Sequence, residues 1–171
     1  MALNDPVITL TDVRTYEDVD KEYSSTRFSG FLTQVQNKEL RELLGDELWL
    51  DFFDNISDTK YQTLISGENY TENGETIYYP GLKPFLSFCM LLKIITKGDV
   101  FHTNRGNFQY NPETAQSAEK YTIQQTTGDY QLSIKFYENE VIKYLNQKTS
   151  TYTLWDAKRE TDQTDFQFNI V

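Results

Sequence analysis

Along most of the chain apolar residues recur at three- and four-residue spacing, which on a helix of 3.6 residues per turn gathers them into one stripe. Phe28, Phe31, Leu32 and Val35 form one such series, and Leu40, Leu43 and Leu44 continue it after a slip in phase around Gln36–Glu39. Ser24 or Ser25 is placed to cap this helix and Gly45 to stop it. A shorter helix, capped by Thr11 or Asp12 and ending at Tyr16, precedes it. Asp46 is placed to cap a third helix, in which Leu48, Trp49, Phe52, Phe53 and Ile56 share a stripe. Asp58 or Thr59 opens a fourth, with Tyr61, Leu64 and Ile65, closed by Gly67. Leu82 to Lys97 is apolar on nearly every side, the mark of a central core helix, and Lys97-Gly98 suits its C-terminus. The last helix starts near Pro112-Glu113 and runs to about Lys148, with a bend expected near Thr126–Gly128; Tyr130, Ile134, Tyr137, Val141, Tyr144 and Leu145 line it.

The period changes elsewhere. Asn73-Gly74 is a strong signal for a two-residue hairpin turn, and Ile77-Tyr78-Tyr79 supplies its return strand. Val7 to Thr11 reads as an extended arm, Asp99 to Pro112 as a long polar loop, and Phe166, Phe168 and Ile170 alternate as a strand does. The expected fold is therefore mainly α: a bundle of about four to five helices with a small β-hairpin and extended terminal arms able to pair as strands. The boundaries expected are an arm over 1–11, a helical domain over 12–148 with the hairpin inserted at 70–79, and a tail over 149–171.

Composition narrows the function. The 171 residues carry 16 Lys and Arg against 26 Asp and Glu, a net charge of −10, and 16 of the acids precede Asp99. Such a chain repels phosphate backbones, which disfavours conventional nucleic-acid binding. One Cys cannot form an internal disulfide, and the lone His102 cannot make a His-rich zinc site. Cys89 falls within the most apolar helix, where a thiol is inert, and His102 has no Cys or Asp at triad or ligand spacing. Asp18, Asp20 and Glu22 begin like a calcium loop, but Tyr23 replaces the turn glycine and Ser29 the bidentate Glu. Met1 to Leu10 has neither the basic nor the apolar region of an export signal. No catalytic residue, metal site or cofactor is expected.

Three features remain. Glu47, Asp51, Asp54 and Asp58 are spaced four, three and four residues apart, a row on one face of the third helix unrelieved by any interleaved Lys. It reads as an ordinary solvated side or as a selected acidic surface. The hairpin presents Tyr70, Ile77, Tyr78 and Tyr79 on an element too small to stand alone, so it packs on its own domain or on a neighbour. The Phe166, Phe168 and Ile170 strand and the N-terminal arm have unpaired edges, which pair with each other or with another chain.

Several local strings, in this order, carry a likeness: Asp12-Val13-Arg14-Thr15-Tyr16, Leu43-Leu44-Gly45-Asp46-Glu47-Leu48, Tyr78-Tyr79-Pro80-Gly81-Leu82-Lys83, and the run from Asn139 to Leu145 before Trp155. Together they make residues 12–156 resemble the head-to-tail connector, or adaptor, proteins of tailed bacteriophages of the Bacteroides and crAss-like type. The resemblance implies a structural virion protein, not an enzyme. Its mostly helical subunits assemble as a ring, commonly a dodecamer, below the portal protein, continue the DNA channel and receive the tail. It implies location in the virion neck, and in host cytoplasm during assembly, with DNA as passing cargo and no membrane partner. Glu47, Asp51, Asp54 and Asp58 become the candidate channel lining, and Tyr70, Ile77, Tyr78, Tyr79, Phe166, Phe168 and Ile170 the candidate subunit or portal contacts. A tail-side completion or stopper protein is the alternative in the same class. An acidic DNA mimic that inhibits a DNA-binding protein and a small two-carboxylate enzyme are alternatives outside it.

Overall fold

The computed structural model describes residues 5–17, 19, 23–97, 100–103, 106–109 and 116–156. In chain order the elements are α1 (Leu10–Arg14), α2 (Ser25–Val35), a π turn (Gln36–Leu40), α3 (Arg41–Leu44), α4 (Asp46–Asp54) and α5 (Thr59–Ser66). Then come β1 (Glu68–Glu72), β2 (Glu75–Tyr79), α6 (Leu82–Lys97), β3 (Val100–Thr103), β4 (Gly106–Gln109) and α7 (Gln116–Gln147). The protein is mainly helical with a two-stranded antiparallel hairpin, as the periodicity predicts. The apolar α6 lies at the centre and packs against α1, α2, the π turn, α5 and α7. No helix among the described residues is long and apolar enough to cross a membrane.

The phase slip after Val35 is the π turn. One extra residue in the turn rotates the succeeding helix, so Phe28, Leu32 and Val35 and then Leu40, Leu43 and Leu44 all reach the same core. The turn also carries Gln36 inside, 1% exposed. There its Oε1 accepts from the Val7 N–H at 2.9 Å and its Nε2 donates to the Asp5 carbonyl at 3.1 Å. The Gln36 carbonyl accepts from the Trp49 indole at 2.9 Å. Three segments thus share one buried amide residue.

This anchoring corrects the expected N-terminal arm. Val7 and Ile8 are buried core residues and not part of a free strand, because Gln36 satisfies the backbone of their segment. Thr9, not Thr11 or Asp12, caps α1: Asp12 is the third helical residue and accepts from the Thr9 N–H and hydroxyl at 2.8 and 2.7 Å. Asp12 also pairs with Lys83 at 2.8 Å, tying α1 to α6. At the other end Tyr152 and Trp155 are buried, so the core extends beyond 12–148 on both sides.

Two further expectations change. Gly45 (φ 78°) ends α3 as expected but is also the N-cap of α4, so Asp46 is not the cap but the first helical residue, bonded to Arg41 at 2.8 Å. The stretch read as a loop over 99–112 contains β3 and β4, paired with Phe101 opposite Phe108; its β-formers outweigh the surrounding Asn and Gly. α7 is continuous through Thr126–Gly128. The tail residues Phe166, Phe168 and Ile170 lie outside the described residues.

Replacing Gln36 by Leu keeps the volume but leaves the Val7 N–H and the Asp5 carbonyl without their partner. Urea denaturation of Gln36→Leu is expected to show a loss of about 1–3 kcal/mol; a variant as stable as wild type would mean that the amide does not hold the N-terminal segment.

Candidate functional site

The hairpin is seated on its own domain. Its turn is Asn73-Gly74, with φ of 51° and 87°, which sets the register from Glu72 opposite Glu75 to Glu68 opposite Tyr79. Alternation then sends Tyr70 and Tyr79 inward toward α7 and leaves Tyr78 outward. Tyr79 stacks on Tyr144 with ring centroids 3.9 Å apart and planes 5° from parallel, and Tyr70 meets Tyr144 edge-on at 5.5 Å. Tyr61 and Tyr152 close the cluster. Of the predicted contact residues, Tyr70 and Tyr79 are therefore used inside the subunit, and Ile77 packs partly against the core. Among the described members of that set, Tyr78, 65% exposed, is the one that faces solvent.

Four of the hydroxyls in this cluster, those of Tyr61, Tyr79, Tyr144 and Tyr152, end on carboxylates or carbonyls. Tyr144 donates to Glu68 Oε1 at 2.8 Å, and Lys148 pairs with the same oxygen at 3.1 Å. Tyr152 donates to the Lys60 carbonyl at 2.7 Å and Tyr79 to the Leu64 carbonyl at 3.0 Å. Burial and the Glu68 hydrogen bond raise the Tyr144 phenol far above its ordinary range. Burial pushes Tyr152 up to about 12. These phenols stay protonated at any physiological pH and serve as fixed donors. For Glu68, burial works toward a higher pKa, but the Tyr144 and Lys148 hydrogen bonds outweigh it and hold the carboxyl below its usual value.

The acidic row is divided by the same logic. α4 ends at Asp54, with Asn55 as its C-cap, so Asp58 does not share its face; it is the N-cap of α5. Asp51 turns toward the α4–α5 junction, where it accepts from the Tyr61 hydroxyl, from Asn55 and from Lys60, the last at 3.2 Å. The Tyr61 hydrogen bond is the main reason its carboxyl lies below the ordinary value. Lys60 supplies the relieving cation that the helix itself lacks. Of the four, Glu47, Asp54 and Asp58 are the exposed acids. Between Glu47 and Asp54 stands Leu50, 47% exposed, a feature that the core-stripe reading passes over. Its spacing of i+3 from Glu47 and i−4 from Asp54 places it on their face.

Cys89 is buried, and desolvation raises its thiol pKa well above the ordinary value, which favours the protonated thiol. His102 falls in β3. Among the described residues no group of three His, Cys, Asp or Glu side chains is placed to hold a metal. A groove of about 430 Å³ runs between the α2–π segment, α6 and α7, floored by Val35, Cys89, Leu92 and Ile134.

A family model described as a family of unknown function, DUF6712, matches residues 40–164, most of the chain. The chain belongs to the DUF6712 family. The DUF6712 match begins at the last residue of the π turn and takes in α4, the hairpin, α6 and α7, so the tyrosine cluster lies wholly within it. No curated protein and no solved structure matches the chain.

Because the folded-state pKa of Glu68 lies below its ordinary 4.5, its stabilising contribution is complete above that value and is lost as pH falls through the lowered one. The stability gap between wild type and Glu68→Gln is therefore expected to be widest near neutrality and to close in acid. Equilibrium unfolding across that pH range measures it, and a gap independent of pH would rule the ion pair out.

Proposed function

We propose that this chain is a structural virion protein, the head-to-tail connector of a tailed phage, which forms a ring below the portal, continues the DNA channel and presents a surface to the tail. The resemblance over residues 12–156 supports this reading, and the exposed acidic edge of α4 and the α5 cap is the observation that carries it. Glu47, Asp54 and Asp58 project into solvent, whereas Asp51 is drawn back to Tyr61 and Lys60. A wall of like charge repels phosphates, so DNA slides past without adhering during packaging and ejection. The work is done by shape and charge, with no reaction.

The same acidic edge favours a second reading, a DNA mimic that occupies the binding face of a nuclease or repressor. Light scattering on the chain alone and mixed with purified portal rings separates the two. The connector is expected to add to the portal as a ring of defined mass. A chain that never joins portal, yet titrates a DNA-binding protein off its DNA, would overturn the connector reading in favour of the mimic.

A further inference from the structure

The groove between the α2–π segment, α6 and α7 carries a charge opposite in sign to the net charge of the chain. Lys93, Lys97 and Lys135 line it against Glu39 and Glu138, a local excess of positive charge in a chain of net −10. Arg27 adds to it: its guanidinium donates to the Lys97 carbonyl at 2.8 Å, at the end of α6. The floor of Val35, Cys89, Leu92 and Ile134 is apolar. An occupant suited to this groove is therefore acidic outside and aliphatic at its centre.

The outward face of α4 has that composition. Leu50 is nearly half exposed, with Asp46, Glu47 and Asp54 at i−4, i−3 and i+4 around it. Of these, Asp46 is paired with Arg41, while Glu47 and Asp54 face solvent. A volume of about 430 Å³ accommodates a leucine side chain with room for its neighbours. No residue of α4 lines the groove, so the two surfaces are separate parts of one chain.

We propose that a second copy of this chain docks here, setting Leu50 of its α4 into the groove with Glu47 and Asp54 against Lys93 and Lys97. The contact is heterologous: an open series keeps one unused face at one end and one unused groove at the other, so copies add head to tail. The contact covers Glu47 and Asp54, so within a series these two acids belong to the seam between copies and Asp58 is the acid of the row left to face the channel; that the series closes as a ring rests on the connector function, and the pairwise contact does not.

Sedimentation velocity on the full chain, over a dilution series at low and high salt, tests this. Wild type is expected to associate at low salt and to dissociate at high salt, where exposed charges are screened. Glu47→Lys with Asp54→Lys, and separately Lys93→Glu with Lys97→Glu, should each give monomers. An equimolar mixture of the two double variants should associate again, because each reversed face then meets a groove of opposite sign. Leu50→Ser changes an exposed position and leaves folding intact; it is expected to weaken association about tenfold or more through lost apolar burial. A wild type that stays monomeric throughout, a mixture that does not recover, or a Leu50→Ser variant that associates like wild type overturns the proposal. So does a chain cut after Asp156 that loses association while the charge variants keep it, since residues 157–171 would then be the occupant. If these variants fail as predicted while portal still takes up the chain, only the groove assignment falls; a salt-sensitive series that ignores portal keeps the groove and removes the connector.

Discussion

The stack of Tyr79 on Tyr144 is the contact on which the second half of the structure depends. It joins β2 to α7, and around it Tyr70, Tyr61 and Tyr152 bring in β1, α5 and the segment after α7. Aromatic rings supply large apolar area, and in a core their hydroxyls must find acceptors. Here those acceptors are Glu68 and the carbonyls of Lys60 and Leu64, so the cluster is directional as well as apolar. A two-stranded hairpin has little stability of its own. This one is fixed because one strand face is part of a tyrosine core.

The first half has a different organiser. Gln36 replaces packing with hydrogen bonding: one side-chain amide terminates the backbone of the N-terminal segment, while its carbonyl receives an indole from α4. The π turn begins at Gln36, and its extra residue returns Leu40, Leu43 and Leu44 to the face on which Leu32, Val35 and Gln36 already lie. The two halves meet across α6, which touches elements from both. The apolar character of that helix on nearly all sides arises from this position.

Much of this fold is legible in the residues. The helical stripes, the Asn73-Gly74 turn and the central α6 follow from local periodicity and turn chemistry. The slip around Gln36–Glu39 is visible too, although spacing alone does not distinguish a π turn from a helix break. Long-range pairing is not legible in the same way. Tyr144 and Glu68 are 76 residues apart, and nothing local marks them as partners. Asp51 resembles a member of an outward row because its partners, Tyr61 and Lys60, belong to the next helix. Leu50 is hidden for the opposite reason: it is apolar but lies off the core stripe, and only its position relative to Glu47 and Asp54 marks it.

Gly67 and Gly81, at φ 86° and 84°, bracket the hairpin where the chain leaves α5 and enters α6. Their backbones cross so closely that a Cβ on Gly81 would meet the Gly67 nitrogen at 2.7 Å, and one on Gly67 would meet the Pro80 carbonyl carbon at 2.8 Å. The path from α5 to α6 is thus already closed at the base, and residues 68–80 form a loop whose two ends are adjacent. The entropy of joining those ends grows only slowly with loop length. The hairpin can therefore lengthen or shorten at its Asn73-Gly74 turn, beyond the Glu72 carboxylate that accepts from Gln147 of α7, without moving either helix, which leaves that turn free to diverge while the helices beneath keep their geometry.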